Sequence, residues 1–175
     1  MTTSWTTPKT IIQYAQNQAE EKHVSWDDST NYVELMTVND QFVKTTRPLL
    51  HISRSPKPDI VEKTYYLHLS GFNFVDLPEV ITGIECRLTS NRGGRITDDV
   101  VELMSGDTVI SDNIANRNLD LIKVYGGNLS TWGMTTLDPE IVRSNQFGIR
   151  LRFKSHPSWP HKTTAKIDSA ELRIY

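Results

Sequence analysis

The residues that could perform chemistry are scattered along this 175-residue chain and form no recognisable motif. Five histidines, at positions 23, 51, 68, 156 and 161, share no zinc-binding spacing with the single cysteine, Cys86. The sequence lacks the signatures of zinc hydrolases, serine hydrolases, dinucleotide-binding folds and P-loop NTPases. It therefore predicts no catalytic residue, no metal ligand and no cofactor, in a protein that is not an enzyme.

Two features that resemble reactive groups have structural explanations. Asp98 and Asp99 lead a predicted strand, so their side chains point to opposite faces, which suits neither a catalytic carboxylate pair nor a calcium loop. Cys86 alternates with Ile84 and Leu88. That alternation predicts a buried and inert thiol.

Two arginines are the first candidate binding residues. In the segment FGIRLRF (147–153) the large apolar side chains share one face of an extended chain, and Arg150 and Arg152 share the other. Residues 76–140 hold eleven acids and five bases, whereas 141–175 hold seven bases and two acids. Patches of opposite charge suit contact between copies of one chain. We therefore expect both arginines to face water in the monomer and a partner in an assembly, most simply a homo-oligomer.

Four tryptophans supply the other candidates. Trp26 and Trp132 are expected in the core, the latter because it follows a Gly-Gly turn. Trp5 and Trp159 fall in predicted loops, where each ring is available to a partner or to a sugar.

Composition excludes two classes of partner. The formal net charge of −2 and the pI near 6.2 argue against a nucleic-acid binder, which usually carries a basic surplus. No apolar run approaches the roughly 20 residues that span a bilayer. The N-terminus lacks the pattern of a secretory signal, so synthesis in a cytoplasm is expected.

The elements that must position these residues are mostly strands. Short strands separated by turn signals are predicted at 64–74, 80–90, 98–106, 121–127, 146–155 and 164–175, a spacing typical of an all-β antiparallel sandwich. We expect one domain, with an N-terminal arm and leading strands at 1–60 and the sandwich core at 61–175. Thr7-Pro8 predicts a helix to about His23, and residues 31–38 and 49–55 resemble strands.

Residues 64–175 also resemble a known family. The segments YLHLSGFNFVDLPEVITGIECRL, DDVVELMSGDTVISDNIANRN, VYGGNLSTWGM with FGIRLRF, and AKIDSAELRIY are similar to a β-sandwich module of tailed-phage virion structural proteins and uncharacterised prophage proteins. The resemblance implies a jelly-roll type fold and a non-enzymatic structural role in a virion, with assembly in the host cytoplasm.

The position in the particle stays open at this point. The resemblance favours a capsid decoration or cement protein whose partners are other virion proteins, such as the major capsid protein. A tail, neck or baseplate component that anchors a fibre is the first alternative. A carbohydrate-binding module for host recognition is the second. Neither nucleic acid nor membrane is expected as a partner.

Overall fold

The computed structural model describes residues 2–15, 23–27, 43–46, 48–52, 60–90, 96–116, 120–155 and 162–175. The elements in these ranges are β1 (Thr10–Tyr14), β2 (His23–Val24), β3 (Val43–Lys44), β4 (Leu49–Ile52), β5 (Ile60–Val61), β6 (Lys63–Thr64), β7 (Tyr66–Ser70), β8 (Ile84–Ser90), β9 (Ile96–Ser105), β10 (Thr108–Val109), β11 (Ile122–Gly126), α1 (Pro139–Arg143), β12 (Phe147–Ser155), β13 (Lys162–Thr163) and β14 (Lys166–Ile174).

The larger sheet, sheet 1, is built around β12. This strand lies between β7 on one side and β9 on the other, in antiparallel pairing with both. β1 pairs with β7, and β10 forms a hairpin with β9. β6 also pairs with β12, and β2 joins β6 in parallel.

The second sheet, sheet 2, has the order β11-β8-β14-β3. β13, β4 and β5 form a small additional sheet. Sheets 1 and 2 pack face to face, so the expected all-β sandwich is confirmed. The six strands predicted from residue 64 onward all correspond to strands of these two sheets, with ends that differ by a few residues.

The core lies between the two sheets and follows from strand alternation. Along β12, Phe147, Ile149 and Leu151 face inward and are fully buried. Along β8, Ile84, Cys86 and Leu88 do the same, so the expected burial of Cys86 is confirmed. Burying this apolar surface is the main favourable contribution to folding.

Trp26 and Trp132 both lie in the core, as expected. The Nε1 of Trp26 donates to the Tyr65 carbonyl at 2.9 Å, and the Nε1 of Trp132 donates to the Ile84 carbonyl at 2.9 Å. Each ring is therefore buried with its one polar atom satisfied. Gly126 lies against Trp132 with a φ of 78°, a conformation that glycine adopts without strain.

A β-bulge in β9 sets which side chains face outward. Arg152 of β12 lies opposite Val100 and Phe153 lies opposite Asp98, which leaves Asp99 as the extra residue. A bulge of this kind changes the phase of a strand. The side chain of Asp98 therefore enters the core, while that of Asp99 reaches the outer face beside Arg152.

The predicted helix from Thr7 is wrong over its described part. Residues 10–14 form β1 and pair with β7 along its free side, from Thr10 opposite Ser70 to Tyr14 opposite Tyr66. A strand is favoured here because it gives the β7 backbone groups hydrogen-bond partners. It also stacks the rings of Tyr14 and Tyr66, whose centroids lie 5.1 Å apart. The rest of the predicted helix, 16–22, lies outside the described residues.

Several other elements differ from the prediction in their ends or were not predicted. Strand β7 ends at Ser70, and Gly71 has a φ of 72°, so the chain turns out of the sheet before residue 74, the predicted end of this strand. Of the predicted strand 49–55, residues 49–52 are a strand, and 53–55 lie outside the described residues. The short helix α1 was not predicted, although Asp138 caps it and Pro139 opens it. The predicted strand 31–38 lies outside the described residues.

Candidate functional site

Arg150 and Arg152 lie on the outer face of sheet 1, but they do not face open water. The Arg150 Nε donates to Glu102 Oε2 at 2.9 Å, and the Arg152 Nε donates to Asp99 Oδ2 at 2.7 Å. The two arginine side chains are only 19% and 9% exposed. The expectation that they face water in the monomer is therefore wrong.

The physical reason lies in the neighbouring strand. β9 places Glu102 directly opposite Arg150, and the bulge brings Asp99 beside Arg152. Opposite charges on facing strands attract, so each arginine folds down onto its acid. The acids that were expected on a neighbouring copy thus lie within the same sheet.

The Tyr66 ring lies against both arginines on the outer face of sheet 1. The Tyr66 ring centre lies 4.5 Å from the Arg150 guanidinium carbon and 4.6 Å from that of Arg152. Contacts of this kind attract a cation to the π face of the ring. Burial raises the pKa of Tyr66, although the two arginine charges oppose that effect.

Asp99 is the hub of the charged network at one end of this face. Besides Arg152 it holds Lys154, with Nζ 3.0 Å from Oδ1, and Lys63, with Nζ 3.7 Å from Oδ2. Burial favours the neutral acid, but the hydrogen bond from Lys154 and the charges of Arg152 and Lys63 outweigh it and lower the pKa of Asp99. Three cations thus share one carboxylate.

A cavity of about 270 Å³ opens on the same face. It is lined by Tyr14, His68, Met104, Asp107 and Arg150. Burial lowers the pKa of His68; the Asp107 charge opposes this and the Arg150 charge adds to it, so the imidazole is neutral at pH 7. Tyr14 and His68 were missed by the sequence reasoning, although His68 alternates with the inward Leu67 and Leu69.

Of the other two candidate binding residues, Trp5 lies on sheet 2 and Trp159 is not among the described residues. The half-buried Trp5 ring lies on sheet 2, with the guanidinium carbons of Arg87 and Arg173 each 4.5 Å from its centre. Those arginines are in turn paired with Glu171 and Glu85. The Trp5 ring is thus already engaged by cations of its own chain.

A second group of polar side chains lies inside the core. Lys123 of β11 points inward and places its Nζ 2.8 Å from Asp98 Oδ1, and the Tyr125 hydroxyl donates to Asp98 Oδ2. The sequence reasoning did not identify Lys123. Its alternation with Ile122 and Val124 would have predicted the reverse orientation, with the aliphatic side chains inside.

The described ranges contain no group of three or more His, Cys, Asp and Glu residues suited to a metal ion. Nor do they contain a helix long and apolar enough to cross a membrane. In comparisons with known proteins, no family model and no curated protein matches the chain. The outer face of sheet 1 offers cations, hydroxyls and aromatic rings for binding.

Proposed function

We propose that this chain is a non-enzymatic structural component of a tailed-phage virion, and that it acts as a capsid decoration or cement protein that bridges capsid subunits. The resemblance of residues 64–175 to virion β-sandwich modules is one support. A second is that the distinctive residues of those motifs serve packing. A Cβ on Gly148 would lie 2.0 Å from the Leu69 carbonyl oxygen, and Trp132 fills the core.

The observation that carries the proposal is the exposed apolar edge of sheet 2. In the part of the chain that the structure describes, β11 pairs only with β8, so one side of its backbone is available. Its outward side chains, Ile122 and Val124, are 54% and 52% exposed. Monomeric proteins usually protect such an edge with charge or cover, and an apolar edge strand favours pairing with another chain.

The apolar surface continues beyond β11. Leu129 and Val80 are both strongly exposed. Their segments contact each other, because the Thr82 hydroxyl donates to the Asn128 carbonyl at 3.0 Å. A neighbouring virion subunit that adds a strand to β11 would cover this region, and many such interfaces on one shell would add to a large total stabilisation.

The location is tested with an antibody raised against the purified chain. Phage particles released by induction of the source strain are labelled with it and viewed by electron microscopy. We expect many labels over the head. Label confined to the tail, neck or baseplate would transfer the proposal to that alternative, and unlabelled particles would contradict a virion role.

The edge itself is tested by Val124→Lys, with Ile12→Lys as the matched control. Both residues are exposed aliphatic side chains near a sheet edge, but Ile12 lies on β1 of sheet 1. We expect both variants to melt like the wild type. Val124→Lys should fail to enter particles, while Ile12→Lys should enter normally. Normal incorporation of Val124→Lys would contradict the proposed interface.

The cavity on sheet 1 favours carbohydrate binding as a second candidate function. Its lining combines donors, an acidic acceptor and an aromatic ring, which are the groups that recognise hydroxyl-rich ligands. A glycan array probed with the wild type and with Tyr14→Ala tests this. Binding that the variant loses would support it, and an array without any signal would reject it.

A further inference from the structure

The two sheets are joined in the core by Asp98 of β9 and Lys123 of β11. Their side chains are 0% and 2% exposed, respectively. The distance from Lys123 Nζ to Asp98 Oδ1 is 2.8 Å, and the Phe153 ring centre lies 5.8 Å from Nζ. An amine and a carboxyl group from opposite sheets are thus held in contact in an apolar environment.

An ion pair at this position is costly. Removing two charges from water costs several kcal/mol per ion in real proteins, and mutual attraction repays it only in part. Burial raises the pKa of Asp98, although Lys123 and Tyr125 act in the opposite direction. The raised pKa favours the neutral acid form of Asp98, and a carboxylic acid in contact with an amine is the reactant pair of an amide condensation.

From this geometry we propose that Lys123 and Asp98 form an intramolecular amide bond that links sheet 1 to sheet 2. A proton first passes from the Lys123 ammonium to Asp98 Oδ1 along their hydrogen bond. The amine lone pair then attacks Asp98 Cγ. The new Nζ–Cγ bond forms, the Cγ–Oδ1 bond breaks, and Oδ1 leaves as water with one proton from the acid and one from the amine.

Tyr125 is placed to assist at the other carboxyl oxygen. Its hydroxyl donates a hydrogen bond to Asp98 Oδ2, which carries the developing negative charge during attack and becomes the amide carbonyl oxygen. Burial also raises the pKa of Tyr125, so the hydroxyl keeps its proton as a donor. Tyr125 is thus a positioning and polarising group, and the folded core supplies the proximity that makes the reaction intramolecular.

The first test is the mass of the intact purified chain and of its tryptic peptides. We expect a chain lighter by one water molecule than the sequence requires. Cleavage at Arg95, Arg117 and Arg143 should then yield residues 96–117 joined to residues 118–143, with no cleavage at Lys123. A full-mass chain that yields separate peptides would overturn the proposal.

Two variants complete the test. Lys123→Met keeps an unbranched side chain without a nucleophile, so its chain should have the full mass, and a missing water in this variant would overturn the assignment. Tyr125→Phe keeps the ring but loses the donor, so linkage should be slower and unlinked chains should accumulate. Full linkage at the wild-type rate would overturn the role of Tyr125. The outcomes are independent of the proposed virion role, because the mass is measured on the purified protein.

Discussion

Two adjacent aspartates in β9 show how strongly the position of a side chain sets its chemistry. Asp98 faces the core, and burial raises its pKa. Asp99 lies on the outer face, where burial also favours the neutral acid but is outweighed by its hydrogen bond and cationic neighbours, so its pKa is lowered. The sequence predicted opposite faces for the pair. It did not predict their partners, because those come from three other strands.

The lowered pKa of Asp99 predicts a pH dependence of stability. An acid with a lower pKa in the folded state stabilises the fold above its unfolded pKa, about 3.9, and this contribution is lost as the pH falls through the folded value. We expect Asp99→Asn to lose roughly 2–3 kcal/mol at pH 7, because it removes a hydrogen-bonded charge. The difference from wild type in thermal melts should shrink below about pH 4.

Exposed Glu79 provides the control for this experiment. Glu79→Gln removes one negative charge from the surface, so it should melt like the wild type at every pH. A difference between Asp99→Asn and wild type that does not change with pH would contradict the assigned role of Asp99.

Arg152 and Arg143 form a matched pair for testing buried against exposed ion pairs. Arg152 is almost fully buried against Asp99, whereas Arg143 pairs with Glu140 on the surface of α1. We expect Arg152→Ala to lower the free energy of unfolding by roughly 2–3 kcal/mol, since Asp99 then loses its closest partner. Arg143→Ala should change it by less than about 0.5 kcal/mol. Urea titration measures both, and equal effects would contradict this prediction.

At the scale of elements, strand alternation predicted β12 well. From Ile149 to Lys154 apolar and cationic residues alternate, and the apolar side chains are the ones that lie in the core. In β11 the side chains also alternate, but the inward ones are Lys123 and Tyr125, while Ile122 and Val124 face outward. A prediction that places the aliphatic side chains inside fails there. The inward lysine is tolerated only because Asp98 lies on the opposite sheet, and a single-strand pattern carries no information about that partner.

The N-terminal prediction failed for a related reason. Residues 7–15 carry helix start signals, but β7 offers a row of backbone partners that an isolated segment does not reveal. Tertiary pairing overrides a weak local propensity. On the outer face of sheet 1, the sequence predicted only that the two arginines point outward. The acids, the tyrosines and the cavity around them depend on how four strands are aligned, and no single segment shows that alignment.

Two isoleucines, one buried in β12 and one exposed in β11, allow a matched test of the core. Ile149 is fully buried at the centre of sheet 1, and Ile122 is largely exposed on the edge of sheet 2. We expect Ile149→Ala to cost on the order of 2–5 kcal/mol, because it removes core contacts and leaves a cavity. Ile122→Ala should cost less than about 0.5 kcal/mol in the monomer. Chemical denaturation compares the two, and a stable Ile149→Ala variant would contradict the assigned core.

At the scale of the whole molecule, the N-terminal segment contacts both sheets. The Thr3 and Thr6 amides donate to the carbonyls of Ile174 and Leu172 on β14, each at 2.9 Å. Four residues after Thr6, the chain enters β1 at the edge of sheet 1. The segment therefore runs from β14 of sheet 2 to the edge of sheet 1.

Substitutions at Thr6 test this connection. Thr6→Pro removes the amide that bonds to Leu172, whereas Thr6→Ala keeps it. We expect the proline variant to lose roughly 1–3 kcal/mol and the alanine variant much less. Thermal melts of both chains provide the measurement. Equal melting temperatures would show that the contact with β14 contributes nothing.

The pairing of Thr3 with Ile174 also orders events during synthesis. On the ribosome Thr6 is made well before its partner Leu172, which follows it by 166 residues. Until then, the backbone of residues 3–6 lacks its native hydrogen bonds while the middle strands are already emerging. Contacts this distant in sequence also close slowly. Residues 3–6 therefore remain open to chaperones and proteases until β14 has been made.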